Sequence, residues 1–239
     1  MLIRQGDARN SVIDRRLASV LAAVAGAINA AGFHAVGFFS ANMTGNVSSL
    51  SDHIAFGDLV LAGAYLGIFV TFISGAMVST LLINAGRRRR IERIYAFSIL
   101  LEAILLACLG AVDLWLPAGH RGPVLIIGLS FLMGLQNAVV TRISNARVRT
   151  THVSGMSTDI GIELGILADM ARGREPETDK SDILTKLRLH GQTVLFFVAG
   201  GVFGVAVYRE VGGMLLLACS ALLFMLALPA VRHRTPQPA

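Results

Sequence analysis

Two asparagines and a glutamate interrupt stretches that are otherwise built of carbon. Asn29 and Asn137 lie about twelve to fourteen residues into charge-free runs, ~18–21 Å along a helix at about 1.5 Å per residue. A carboxamide in hydrocarbon must find partners. It serves either as glue between helices, worth ~0.5–2 kcal/mol, or as the lining of a polar pathway. Gln136 stands beside Asn137 and shares both readings. Glu102 sits near the middle of another apolar run, where a carboxylate is costly and by default functional. It is a candidate proton site, or a partner for a nearby donor.

A second set of polar residues follows each asparagine. Thr44-Gly45-Asn46 comes after the first and Ser154-Gly155 after the second. Both pairs read as glycine turns that lead into short helices, over Val47–Phe56 and Ser157–Ala171, whose starts are rich in hydroxyls. Backbone N–H groups at such helix starts favour anions and polar groups. The expected substrate pathway is therefore Asn29, Thr44, Gly45, Asn46, Gln136, Asn137, Ser154 and Gly155. Asp159 and Glu163, four apart, share one helix face; such a pair suits proton or cation handling, or else, in a segment expected to be cytoplasmic, a solvated face.

The elements that must carry these groups follow from the charge pattern. Residues 17–51, 59–86, 124–141, 189–208 and 211–231 contain no Asp, Glu, Lys or Arg, and 94–112 contains only Glu102. Membrane helices are expected near 17–39, 59–84, 92–114, 123–140, 191–208 and 211–230, each near the ~20 residues a crossing needs. Successive segments outside them hold 4, 0, 5, 1, 8, 1 and 2 Lys/Arg. Basic residues stay on the cytoplasmic side, so this alternation predicts six spans with both termini cytoplasmic. Arg15-Arg16 before Leu17–Ala27 has the look of a signal sequence. The apolar run continues to Phe39, however, and the helix is expected to be retained.

The two halves also echo each other. Gly26-Ala27-Ile28-Asn29-Ala30 and Gly134-Leu135-Gln136-Asn137-Ala138 both read G-x-x-N-A. A hydroxyl-glycine pair follows, its glycine 16 and 18 residues beyond the asparagine. Leu105-Leu106-Ala107-Cys108 in the third run recurs as Leu216-Leu217-Ala218-Cys219 in the sixth. Three spans per copy force the copies to enter from opposite sides. The expected fold is all-α, a polytopic membrane protein of six transmembrane helices in a 3+3 inverted-topology repeat. One integral membrane domain covers 1–239, with repeats at about 15–115 and 122–231 and a cytoplasmic loop at 171–190.

Other chemistries find little support. Only 15% of the 239 residues are charged against 54% hydrophobic, and the mean hydropathy is +0.66. A nucleic-acid reader is excluded, because the Lys and Arg cluster between apolar runs rather than along one folded face. Cys108 and Cys219 both fall in apolar runs and are expected to be buried thiols. No metal-ligand spacing, nucleophile elbow or phosphate loop is present, so no enzyme activity, metal or cofactor is expected. Gly63-x-x-x-Gly67 and Gly200-x-x-x-Gly204 read as close-packing signals. The Arg87–Arg90 run suits anionic lipid head groups.

The paired G-x-x-N-A motifs, with Met43-Thr44-Gly45-Asn46 after the first and Thr150–Gly155 after the second, resemble the YoaK-like family of bacterial inner-membrane proteins. This family is also called domain of unknown function 1275. The resemblance spans about 15–230, with Ser154 where the family pattern has Thr. It implies a multi-pass protein of the bacterial inner membrane and supplies no substrate. The expected function is a small-solute transporter or permease working by alternating access, its partners being the lipid bilayer and a small polar solute, with homo-oligomerisation open. The alternative is a non-transporting scaffold, or a protein that senses lipids or partners through its basic loops.

Overall fold

The structure, a computed structural model, describes residue 2 and residues 10–91, 93–174 and 179–232. Among these it contains eight helices: α1 (Ser11–Val36), α2 (Met43–Ala55), α3 (Leu59–Arg88), α4 (Ile94–Trp115), α5 (Ala118–Ile143), α6 (Val153–Ala171), α7 (Lys180–Val211) and α8 (Met214–Arg232). Six of them, all but α2 and α6, are long and apolar enough to cross a bilayer. The chain is thus an all-helical, multi-pass membrane protein.

Local signals set the helix ends. Asn10 caps α1 by accepting from the Ile13 amide at 2.9 Å, satisfying one of the N–H groups a helix start leaves open. Gly37 closes the same helix with φ 78° and donates to the Phe33 carbonyl. Asp58 caps α3, which ends on Arg87 and Arg88, cations well placed at the negative end of the helix dipole.

Several boundaries depart from expectation. The segment 171–190 is mostly helix rather than loop, because Asp179 caps α7 at Ser181 and Lys186 pairs with Asp182 one turn on, at 2.7 Å. The long α7 therefore projects its charged first turns beyond the apolar run. Helix α5 begins at Ala118, five residues before the expected start of the span, so Pro123 falls inside it. The short helices start at Met43 and Val153, earlier than the residues that follow the glycines. Thr44-Gly45 and Ser154-Gly155 are accordingly first-turn helical residues. Neither glycine has positive φ.

The helices pack in pairs: α1 against α7, α3 against α5, and α4 against α8, with α2 lying on α3 and α6 on α7. The hydrophobic core draws mainly on α1, α4, α5 and α8. By contrast α3 and α7 turn large apolar side chains outward, among them Val60 (85% exposed) and Phe203 (62%). Such surfaces are untenable in water and suit acyl chains.

Glycines set two of these contacts. A methyl on Gly26 would overlap the Phe197 carbonyl of α7, and one on Gly134 would overlap the Phe72 carbonyl of α3. Backbone approach this close needs a residue without Cβ. Reciprocally, Gly200 meets the Ala23 backbone and Gly75 the Phe131 backbone. The expected close-packing pair Gly200 and Gly204 does meet the α1 backbone, at Ala23 and Ala27, but in α3 the sequence pattern pointed to Gly63 and Gly67 rather than to Gly75. Gly63 has nothing within 4 Å, and Gly67 meets Ile127 only at ordinary contact distance, 3.7 Å. Cys108 is exposed while Cys219 is buried. The two Leu-Leu-Ala-Cys tetrads therefore do not share an environment, and the Cys108 thiol is not buried as expected.

Candidate functional site

The G-x-x-N spacing has a direct geometric use. Residues three apart lie on the same helix face, so a glycine that brings a neighbouring backbone close places an asparagine one turn further along the same contact. In α1 this is Gly26 on α7, followed by Asn29. In α5 it is Gly134 on α3, followed by Asn137.

Each asparagine holds the chain as it returns toward a short helix. The Ala41 amide donates to Asn29 Oδ1 at 2.8 Å, bringing a residue twelve positions on back alongside α1. Thr151 Oγ1 donates to Asn137 Oδ1, also at 2.8 Å, fourteen positions on. Asn137 Nδ2 donates in turn to the Met133 carbonyl at 2.8 Å. Helices α2 and α6 therefore begin beside the two asparagines.

Between them lies a cavity of about 790 Å³, within the range typical of small-molecule sites. Asn29, Asn137, Thr44, Gly45 and Ser154 all line it. So do Phe72 and Phe197, whose carbonyls face the two crossing glycines. Asn42 and His152 immediately precede α2 and α6. Asn42 caps its helix through Oδ1 to the Gly45 amide at 3.1 Å, whereas His152 makes no side-chain cap. A Cβ on Gly45 would come within 2.5 Å of the Asn42 amide, and one on Gly155 within 2.5 Å of the His152 ring. These glycines keep room for the residue three positions before them.

Three expected members of the pathway lie elsewhere. Gln136 is fully buried outside the cavity lining and donates from Nε2 to the Leu21 carbonyl at 3.1 Å. One residue is a rotation of about 100° on a helix, so Gln136 faces α1 while Asn137 faces the cavity. Asn46 is also buried and donates to the Phe39 carbonyl at 2.8 Å, bracing the loop before α2. Gly155 supports His152 from beneath without lining the cavity.

Sequence reasoning missed Arg149, Thr151, His152 and three phenylalanines, Phe39, Phe72 and Phe197, all of which line the cavity. Arg149 counted only as one more cytoplasmic cation. Its place in the Arg-x-Thr-His run just before a hydroxyl-glycine pair was the available signal.

Glu102 does not line this cavity. It is 0% exposed in α4, and neither carboxylate oxygen has a hydrogen-bond partner. Burying such a group unpartnered is expensive, so an isosteric apolar side chain should relieve the cost. Glu102→Met is expected to raise the melting temperature of purified protein by several degrees, at roughly 1–3 kcal/mol. An unchanged or lowered melting temperature would show that the acid has a stabilising partner.

Glu163 is buried rather than solvated, 2.9 Å from His190 Nδ1 on α7, while Asp159 is partly exposed. The difference arises because α6 packs on α7, which turns position 163 inward. A second cavity of about 360 Å³ adjoins this region. It is lined by Asp14, Asp159, Asp182, Arg147, Lys186 and His190 among others, and it shares Arg149 with the first. Asp14 and Arg147 pair across it at 3.1 Å.

Six long apolar helices define an integral membrane protein of the multi-pass helical class. More narrowly, the family described as "Protein of unknown function (DUF1275)" matches residues 17–228, and the chain belongs to it. The chain is similar to the UPF0700 transmembrane protein YoaK of Bacillus subtilis (strain 168), 29% identical over 143 residues. That match takes in 58% of this chain and 62% of YoaK, so it spans about three fifths of the relative's length. No solved structure matches the chain significantly.

Proposed function

We propose that this protein is a permease for a small polar solute, working by alternating access in the bacterial inner membrane. The observation that carries this reading is the convergence of Asn29, Asn137 and the starts of both short helices on one cavity. Two halves related by an in-plane axis can present such a site to either face of the membrane.

A 3+3 inverted repeat, α1–α4 and α5–α8, accounts for several pairs of contacts. Gly26 on Phe197 corresponds to Gly134 on Phe72, and Gly200 on Ala23 to Gly75 on Phe131. The Asn29–Ala41 anchor corresponds to Asn137–Thr151. The α1·α7 and α3·α5 pairs exchange under the same operation, as do α2·α3 and α6·α7. With both termini cytoplasmic, α2 runs from the depth of Asn29 to the outer surface and α6 from the depth of Asn137 to the inner one. Irregular backbone at that depth is tolerable where it lines a polar cavity. The Arg87–Arg90 run then lies at the cytoplasmic head groups.

The test is chemical access. In a background carrying Cys108→Ser and Cys219→Ser, Thr44→Cys and Ser154→Cys are expected to react with a membrane-impermeant maleimide from either face of oriented vesicles. Labelling of each position from one face alone would discard alternating access and leave a scaffold that senses lipids or partners.

A further inference from the structure

We propose that the cavity between the short helices selects small organic anions, with a carboxylate or sulfonate head on a compact apolar body. The inference deepens the permease reading and rests on it for the passage step, while the binding step stands on the cavity alone.

The charge balance of the cavity points this way. Arg149 is its one permanent cation, and no Asp or Glu is among the described residues that line it. Arg149 Nη1 lies 3.1 Å from His152 Nδ1. A guanidinium only donates, so in this contact the ring nitrogen is the acceptor. The contact holds the guanidinium in place without neutralising it.

The neutral groups are biased the same way. The Ala41 amide is a donor, which fixes the oxygen of Asn29 toward it and leaves Nδ2 as the atom Asn29 can offer a ligand. Asn137 Oδ1 is likewise taken by Thr151, and its Nδ2 keeps one N–H beyond the bond to Met133. Thr44 and Ser154 add hydroxyls in the first turns of α2 and α6, whose open N–H groups and positive dipole ends face the same space.

A cation would meet Arg149 with nothing to offset it. A neutral solute would leave that guanidinium uncompensated as water is displaced. An anion satisfies the donors and the charge together through charge-assisted hydrogen bonds. Phe39, Phe72 and Phe197 supply the apolar wall, which favours an organic anion over an inorganic one. The adjoining cavity reached past Arg149 sets Asp14, Asp159 and Asp182 against Arg147, Arg149 and Lys186, so it presents no net negative barrier.

The probes are benzoate, benzenesulfonate and butyrate against benzamide and butyramide, which keep shape and lose charge. Millimolar acids are expected to raise the melting temperature of the purified full-length protein, and the amides are not. Arg149→Gln, at an exposed position, is expected to weaken benzoate binding about tenfold or more. Asn29→Asp keeps the acceptor for Ala41 but sets a like charge in the cavity, and should weaken it comparably. Amides binding as tightly as acids, no acid binding, or both variants binding benzoate as the wild type does would each overturn the inference. Counterflow in proteoliposomes separates the two readings. Benzamide flux without benzoate binding removes the anion and keeps the permease, whereas benzoate binding without flux of any probe keeps the anion site and removes the permease.

Discussion

Gly26→Val and Gly134→Val are each expected to abolish the folded protein, giving aggregate instead of a monodisperse peak in size-exclusion chromatography. A Cβ at either position meets a backbone carbonyl, Phe197 in one case and Phe72 in the other. A carbonyl in a helix cannot rotate aside as a side chain does, so the only relief is to separate the helices. Separation at Gly26 also disturbs Gly200 against Ala23, and separation at Gly134 disturbs Gly75 against Phe131. Ordinary overpacking costs about 1–3 kcal/mol. Here each variant stands to lose a whole helix crossing with both of its glycine contacts, against a total stability of only ~5–15 kcal/mol. Gly63→Val is the matched control in α3, since nothing lies within 4 Å of Gly63. It is expected to elute and melt as the wild type does. Normal elution and melting of Gly26→Val would show that α1 and α7 do not meet through this glycine.

Asn29→Leu is expected to abolish solute flux and also to destabilise the protein, and the structure separates the two effects. The substitution removes the acceptor for the Ala41 amide in a buried setting, leaving an orphan donor at about 1–3 kcal/mol. A fall in melting temperature of roughly 2–10 °C follows for a chain of this size. The start of α2 is then no longer held beside α1, and a displacement of about 1 Å at a binding site can cost a hundredfold in rate. Asn137→Leu should be milder in stability, because its partner is the Thr151 hydroxyl, which can rotate to another acceptor, whereas the Ala41 amide cannot. Both are expected to lose flux about a hundredfold in reconstituted vesicles. Full flux in both variants would remove the asparagines from the pathway. A stability loss in Asn137→Leu as large as in Asn29→Leu would show that the loop before α6 depends on its asparagine equally.

Legibility differed with the range of the interaction. Six spans were readable because membrane insertion is governed by composition along a local window, and the charge-free runs declare it. The asparagines were readable because a carboxamide in such a run is conspicuous. Helix ends were less so: Asp179 and the Asp182–Lys186 pair extend α7 back to Lys180 through groups that looked like loop chemistry. Gln136 and Asn137, adjacent in sequence, part company because helix rotation sends one toward Leu21 and the other into the cavity.

The linear chain thus specified a multi-pass helical membrane protein with paired Gly-x-x-Asn motifs, since hydrophobic length and charge placement act residue by residue. Tertiary packing alone decided that Gly75 rather than Gly63 makes a crossing, that Glu102 stays out of the cavity, and that Arg149 and His152 enter it. It also committed the asparagine oxygens to returning backbone and hydroxyl. Those outcomes depend on how far each helix is turned about its axis and how the chain folds back after it, which no local stretch of sequence encodes.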